Sequence, residues 1–200
     1  MKTFLKSLEG YEKELDRSVK KQGLTITVSG VSGVGKSTIS ALSKEFGLQN
    51  ISTGEIFRSI AKQRGMKLEK FSATREDEID YHIERTTLEL SMAGNVALDG
   101  RMTGMAAGLH ADCRLLVKCD MDKKSARVAK RENISKQEAA ANIKARDASD
   151  SAKYLKLYGF DGSDSSFYDA VIDTTNMDLE TSKKEAVKIV RQVLKDKKLL

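Results

Sequence analysis

Short apolar runs rich in β-branched residues recur along the chain, and each of them predicts a β-strand. The first run, Leu24-Thr25-Ile26-Thr27-Val28, alternates between apolar and polar side chains and stops just before a glycine-rich loop. The later runs end in polar residues or turn residues. The predicted strands cover residues 24–28, 48–51, 95–98, 114–119 and 170–172.

Between these strands, apolar residues lie three or four positions apart, which predicts amphipathic helices. Before the first strand, Phe4, Leu8, Leu15 and Val19 follow this spacing and predict a helical extension over residues 1–22. Packing on the sheet and packing on a second subunit both account for such a helix. The other predicted helices are 39–46, one that begins near 54, one over 67–93, two between 122 and 158 with a break at 133–135, and a C-terminal helix after 173.

This alternation of strands and helices is typical of an α/β fold with a parallel sheet and right-handed crossovers. We predict about five parallel strands with helices on both faces. The length of 200 residues fits one such domain, which we place at residues 23–200.

Composition limits the location and the partners. No apolar run reaches the length of a membrane span, and no charged-then-apolar leader precedes the first strand, so we expect a cytoplasmic protein that does not enter a membrane. The formal net charge of +6 suits either polyanionic small molecules or nucleic acid. Much of this charge lies on the C-terminal helix without interleaved aromatic residues, which favours a solvated helix face over an RNA-binding surface.

The loop after the first strand carries the most specific chemical signal. Its sequence GVSGVGKST matches G-x-x-x-x-G-K-[ST] between a predicted strand and a predicted helix. Glycines let consecutive backbone N–H groups form an anion-binding nest, to which the helix N-terminus adds its positive end. Lys36 would bind the outer phosphates, and Ser37 would offer its hydroxyl to Mg²⁺. The predicted nucleotide-binding residues are Gly30, Val31, Ser32, Gly33, Val34, Gly35, Lys36, Ser37 and Thr38.

Polar residues also follow the next two predicted strands. Thr53 and Arg58 come after the second strand, and Asp99 and Arg101 come after the third. The carboxyl ends of parallel strands form the edge at which ligands bind in such folds. There, Asp99 can orient magnesium-bound water and Arg101 can fork onto a phosphate. Helix capping, a surface position for Arg58 and a simple Asp-Gly turn are the competing interpretations.

Arginines mark the two helices between residues 122 and 158. Arg127 and Arg131 are four residues apart and therefore project from one helix face. Two stacked cations repel each other unless an anion or a carboxylate lies between them, which suits a lid that closes over phosphates. Solvation of the two side chains explains the same pattern.

Several motifs in a fixed order resemble one known family. They are the phosphate loop, NISTGEIFRSIA at 50–61, LDGRMTG at 98–104, RVAKRENIS at 127–135, RDASDSAKY at 146–154, YGFD at 158–161 and VIDTT at 171–175. Over residues 24–194 the chain resembles the cytidylate kinases, in particular the short archaeal-type branch of the nucleoside monophosphate kinases.

This resemblance implies a P-loop NTPase three-layer sandwich that transfers the γ-phosphoryl group of ATP, with Mg²⁺, directly to CMP or dCMP. It implies acceptor-binding helices at about 54–93, a helical lid at about 123–150, and a monomer or weak homodimer whose partners are small-molecule nucleotides. The resemblance also implies roles for single residues. It makes four of them catalytic, namely Lys36, Arg101, Arg131 and Arg146, and it assigns Arg127 to ATP and Ser37 to Mg²⁺, with Asp99 in support. The residues that it assigns to the acceptor are Thr53, Gly54, Arg58, Asp99, Arg101, Arg146, Asp150 and Lys153.

Three positions depart from the family pattern. Ser29 and Met102 stand where many bacterial members carry aspartate, and the second of those aspartates is associated with reading cytosine. Lys153 stands where an arginine commonly holds the acceptor phosphate, so a point charge replaces a fork. The alternatives are another P-loop small-molecule kinase, such as an adenylate or shikimate kinase, and a non-catalytic P-loop module that binds RNA or a partner protein.

Overall fold

The computed structural model describes residues 21–200, so the predicted helical extension lies almost entirely outside the described residues. Five strands form one parallel sheet in the order β2-β3-β1-β4-β5. The strands are Thr25–Ser29 (β1), Gln49–Ser52 (β2), Val96–Gly100 (β3), Cys113–Lys118 (β4) and Ala170–Asp173 (β5). The prediction of an α/β fold with about five parallel strands is confirmed.

Helices cover both faces of this sheet. Within residues 21–200 the α-helices are Ile39–Phe46 (α1), Thr53–Gln63 (α2), Leu68–Thr74 (α3), Asp77–Ala93 (α4), Thr103–Ala107 (α5), Met121–Glu132 (α6), Lys136–Tyr158 (α7) and Leu179–Asp196 (α8). Helices α1 and α8 pack together on one face, and α4 and α5 pack on the other. None of them has the length and apolar character needed to cross a membrane.

Separate apolar clusters stabilise the layers and the helices beyond them. The main cluster joins the inner strands to α1 and α8 through residues such as Val28, Leu42 and Val190. A second cluster of Phe57, Ala61, Phe71 and Ile83 holds α2, α3 and α4 to one another. A third, with Val128, Ala139 and Ile143, joins α6 to α7. The helices that flank the carboxyl ends of the strands therefore have small cores of their own.

The prediction of a helical region over residues 67–93 is wrong in one respect, because the structure has two helices there. The backbone of Arg75 and Glu76 is extended between α3 and α4. Both residues could continue a helix on propensity alone. Instead the Arg75 side chain turns inward to the buried carboxylate of Asp80 at 2.9 Å, while Lys153 donates to the Arg75 carbonyl at 2.9 Å. Tertiary ion pairing therefore overrides helix propensity at this point.

Candidate active site

The glycine-rich loop joins β1 to α1 through a short 3-10 turn at Lys36–Thr38. Gly33 has a φ of +79°, and a Cβ at this position would lie 2.9 Å from the carbonyl oxygen of Lys124 in α6. Only glycine meets both demands. From the opposite side, the Thr174 hydroxyl donates to the Val34 carbonyl at 2.6 Å. The loop is thus held between α6 and the end of β5.

Lys36 bends back over its own loop. Its Nζ donates to the carbonyl oxygens of Gly30 at 2.8 Å and Val31 at 2.9 Å. Burial lowers the pKa of Lys36 to about 7, and the nearby guanidinium groups lower it further, whereas Asp99 opposes the shift. An ammonium that is solvated poorly and held by carbonyls gains strongly from a phosphate. Lys36 is therefore suited to an anionic ligand.

The loop opens onto a cavity of about 630 Å³. Its lining comes from the loop, from the ends of β2 and β3, from α6 and from the segment that leads into α8. Six of the predicted side chains border it, namely Ser32, Lys36, Arg58, Asp99, Arg127 and Arg131. The side chain of Ser37 lies outside the described part of the structure, so its role as a metal ligand stays a prediction.

Asp99 is the next-to-last residue of β3, at the floor of this cavity, and is 8% exposed. Burial raises the pKa of its carboxyl, although a hydrogen bond from Ser52 and the charge of Lys36 each act to lower it. The neighbouring Thr53 hydroxyl donates to the Asp99 carbonyl at 3.1 Å. A Cβ on Gly100 would lie 2.0 Å from that hydroxyl oxygen, so glycine is required for β3 to approach the start of α2.

Two arginines from separate elements converge on the loop. Arg146 of α7 donates to the Ser32 hydroxyl at 2.9 Å, and Arg101, which follows β3, donates to the same oxygen at 3.3 Å. Burial lowers the pKa of Arg146 to about 10, and the charge of Arg101 adds to this shift. Both predicted residues therefore lie beside the phosphate loop, and their positive charges lie close to each other.

Carboxylates of α7 hold these arginines in place. Arg101 pairs with Asp147 at 2.8 Å and with Asp150 at 2.9 Å, and Arg146 approaches Asp150 at 3.6 Å. Although burial alone would lower it, these carboxylates raise the pKa of Arg101 above its ordinary value. The carboxylates therefore fix the orientation of the two guanidinium groups from one side, while the other side of each group faces the loop.

Asp150 is the centre of a buried network that the sequence did not reveal. Its carboxylate accepts from Ser72 at 2.6 Å and pairs with Arg75 at 2.9 Å, in addition to Arg101. Arg75 also binds Asp80. A usable signal was the four-residue spacing of Arg146 and Asp150, but nothing in the sequence pairs α3 with α7. The predicted contact of Asp150 with the acceptor sugar stays a prediction.

The other predicted residues lie in different surroundings. Gly54 lines a small cavity beside Thr53, Arg101 and Asp150. Arg58 borders the large cavity and has no ion pair inside residues 21–200. Arg127 donates to the Thr174 carbonyl at 2.8 Å, while Arg131 is exposed and pairs with Glu132 at 2.5 Å. Lys153 pairs with Asp77 at the start of α4. The roles given to these residues stay predictions.

A parallel sheet with a glycine-rich anion loop and arginines facing it defines a P-loop kinase of small substrates. Solved structures support this fold. A gluconokinase from Sinorhizobium meliloti matches with a TM-score of 0.59 and 13% identity, covering 88% of this chain and 97% of that one. A shikimate kinase from Acinetobacter baumannii matches with a TM-score of 0.57 and 14% identity, covering 88% and 96%.

Sequence comparison identifies the family. A family model described as the cytidylate kinase-like family matches residues 25–176. A cytidylate kinase from Pyrococcus horikoshii is 39% identical over 158 residues, which are 78% of this chain and 82% of that protein. One from Methanocaldococcus jannaschii is 36% identical over 163 residues, or 78% and 92%. The chain belongs to the cytidylate kinase-like family, which confirms the resemblance found in its motifs.

Proposed function

We propose that this protein phosphorylates CMP and dCMP to CDP and dCDP with ATP as the donor. An oxygen of the acceptor phosphate attacks the γ-phosphorus, the bond between that phosphorus and the bridging oxygen breaks, and ADP leaves. No covalent bond to the protein forms, so catalysis consists of positioning and charge neutralisation. The kinases of the same family and the layout of the cavity support this reaction.

The convergence of Arg101 and Arg146 on the Ser32 hydroxyl carries the proposal. The neutral hydroxyl leaves the loop-facing sides of both guanidinium groups without an anionic partner, whereas a phosphate would supply one and can accept a forked pair of hydrogen bonds from each arginine. Ser32 belongs to the loop that would hold the donor phosphates. The acceptor phosphate and the γ-phosphate would therefore meet at the same pair of arginines.

On the donor side, the loop amides and Lys36 would hold the β- and γ-phosphates. The Lys36 ammonium is 2.8–2.9 Å from two carbonyls of its own loop, from which it can turn to the phosphates. It would then follow the γ-phosphoryl group as negative charge shifts toward the acceptor. Arg127 and Arg131 would meet the ATP phosphates where they border the large cavity.

On the acceptor side, Arg58 and Lys153 would add positive charge, while Thr53 and Gly54 would contact the nucleotide. Arg58 has no ion pair within residues 21–200 and is therefore free to bind a phosphate. Asp150 would orient Arg101 and Arg146 through the contacts described above and meet the sugar. Closure of α6 and the first turns of α7 would exclude water, which competes for the phosphoryl group.

The residues present also fit a magnesium ion that arrives with ATP. Mg²⁺ keeps several waters and is bound through one or two protein oxygens plus substrate phosphates. The buried Asp99 carboxylate beside Lys36 and the Ser37 hydroxyl would provide such oxygens, and no larger group of metal-ligating side chains occurs within residues 21–200. When bound, the ion neutralises phosphate charge.

A substrate panel tests the proposal. The protein is mixed with ATP, Mg²⁺ and one of CMP, dCMP, UMP, AMP or shikimate, and ADP formation is followed, with the Lys36→Ala variant as a control for contaminating kinases. We expect the highest kcat/KM for CMP and dCMP. Turnover confined to AMP or to shikimate would assign another kinase activity, and no turnover with any acceptor would leave a nucleotide-binding module; either result refutes the proposal.

A further inference from the structure

A second, small cavity lies on the acceptor side, between α2, α4 and α7. It has a volume of about 30 Å³ and shares Arg101, Arg146 and Asp150 with the cluster described above. Its remaining walls are mostly apolar and come from Phe57, Ile83, Met102 and Tyr154. A cavity with aromatic and aliphatic walls that adjoins a phosphate site is suited to the flat faces of a nucleobase.

One polar side chain in this cavity has no assigned task. Glu84 of α4 is 4% exposed, and no hydrogen bond or ion pair to it occurs within residues 21–200. Asp80, one helical turn earlier, has Arg75 as its partner. A buried carboxyl without a partner costs the protein stability, and such groups call for a functional explanation.

We propose that Glu84 recognises the acceptor base by hydrogen bonding to the exocyclic amine and the ring nitrogen of cytosine. This inference depends on the proposed phosphorylation of CMP. Glutamate accepts a hydrogen bond from the cytosine N4 amine in known recognition pairs. Met102, 2% exposed, lines the same cavity and offers the base no hydrogen-bond donor or strong acceptor, whereas Glu84 offers an acceptor.

The surroundings of Glu84 also favour this contact. Burial raises the pKa of Glu84 to about 8, and the charge of Asp80 raises it further, while Arg75 opposes them. At neutral pH its carbonyl oxygen can therefore accept from N4–H while its O–H donates to N3. The titratable and charged groups around it are Asp80 on α4, Arg75 before α4, Asp150, Tyr154 and Tyr158 on α7, and Arg101 and Arg146.

The cavity must widen to admit the base. A volume of about 30 Å³ corresponds to about one water molecule, which is too little for a pyrimidine ring. Helices α3 and α4 are tied to α7 through Arg75 and Asp150, so the cavity would widen by movement of the side chains that line it rather than by a shift of these helices. The Phe57 and Tyr154 side chains that face the cavity would then lie against the ring.

Steady-state kinetics at pH 7 with three variants test the proposal. We expect Glu84→Leu to raise KM for CMP by about 10- to 100-fold, as for loss of a base contact, with little change in KM for ATP. Glu84→Gln, which keeps one donor and one acceptor, should stay within a few-fold of the wild type. Glu78→Leu makes the same change at an exposed position of α4 and should have no effect.

The outcomes separate this proposal from the proposed function. If the wild type phosphorylates CMP and Glu84→Leu does so with an unchanged KM, base recognition by Glu84 is refuted while the function stands. If Glu84→Leu lowers the thermal midpoint and raises both KM values alike, Glu84 has a structural role instead. A stable Glu84→Leu protein is expected, because an unpartnered buried carboxyl is replaced by an apolar side chain.

The pH dependence of CMP binding gives an independent measurement. Ionisation of Glu84 removes the O–H that donates to cytosine N3 and brings a negative charge toward that lone pair. The ratio of the KM for CMP in the wild type to that in Glu84→Gln should therefore rise several-fold between pH 6.5 and about 9. A constant ratio over this range would overturn the assignment.

Discussion

The two halves of the site balance their positive charges in different ways. On the donor side, Lys36 is held by backbone carbonyls and Arg127 by the carbonyl of Thr174, around a cavity of about 630 Å³. On the acceptor side, Arg101 is held by the carboxylates of Asp147 and Asp150, around a cavity of about 30 Å³. Carbonyls leave the donor side with net positive charge, whereas carboxylates give the acceptor side a fixed geometry.

This difference separates function from stability. On the donor side, Lys36 is held by carbonyls of its own loop, so its loss should impair the chemistry and leave folding intact. The acceptor-side network is buried and connects α3, α4 and α7, so its loss should affect both. Substitutions on each side can test this distinction.

The largest effect should come from the donor side. We expect Lys36→Ala to lower kcat by about 10³-fold or more, since the lysine would stabilise charge on the group in transit. The midpoint of thermal unfolding should stay within about 2 °C, because the removed ammonium is poorly solvated in the folded protein. Kinetics and thermal melts of the same preparation measure both. A large drop in the midpoint would make Lys36 part of the structural framework as well.

Removing Arg75 from the acceptor side should mainly lower the stability of the fold. Arg75→Met leaves the buried carboxylates of Asp80 and Asp150 without a main partner, so the free energy of unfolding should fall by about 3–5 kcal/mol. Urea denaturation measures it. Arg64→Met is the matched control, because its ion pair with Glu76 is exposed and should contribute less than about 1 kcal/mol. Equal losses in the two variants would show that the buried network does not stabilise the fold.

The same distinction explains what the sequence allowed us to predict. The phosphate loop is contiguous and built from backbone, so its pattern, its flanking strand and its helix were all visible in one stretch of residues. Strand ends also brought Thr53, Asp99 and Arg101 to one edge of the sheet, as expected for parallel strands. These features depend on local rules and on topology.

The acceptor network could not be predicted in the same way. It pairs side chains from separate elements, such as Ser72 with Asp150, which are 78 residues apart, and local periodicity carries no information about such pairs. The helix break at Arg75 is a consequence of these pairs, which is why one continuous helix was predicted there. Glu84 was overlooked for a related reason, since a glutamate in a charged helix is usually solvated.

A second arginine of the network sharpens the comparison. Arg146 lies in the same cluster as Arg75, but its pKa is lowered to about 10 by burial and by Arg101, so the folded state tolerates its charge poorly. We expect Arg146→Met to lower kcat/KM for CMP by about 10²-fold, with KM for ATP little changed. Its free energy of unfolding should be unchanged or slightly higher. A loss as large as in Arg75→Met would place Arg146 in the structural network instead.

The smallest predicted effect concerns protons on the donor side. With a pKa of about 7, Lys36 is mostly neutral in the free protein at pH 8, whereas bound phosphates would restore its charge. ATP binding at pH 8 should therefore take up about 0.9 proton per site, and binding at pH 6 almost none, because the amine is already protonated there. Phosphate groups are fully ionised at pH 8 and add little uptake.

Isothermal titration calorimetry in buffers of different ionisation enthalpy measures this uptake as the slope of the binding enthalpy. Lys36→Arg is the control, because a guanidinium stays charged at both pH values and should give a slope near zero at pH 8. Equal slopes for the two proteins would mean that the Lys36 ammonium is already present in the free site. The carbonyl contacts at 2.8 and 2.9 Å would then be enough to hold a full positive charge on the donor side before nucleotide binds.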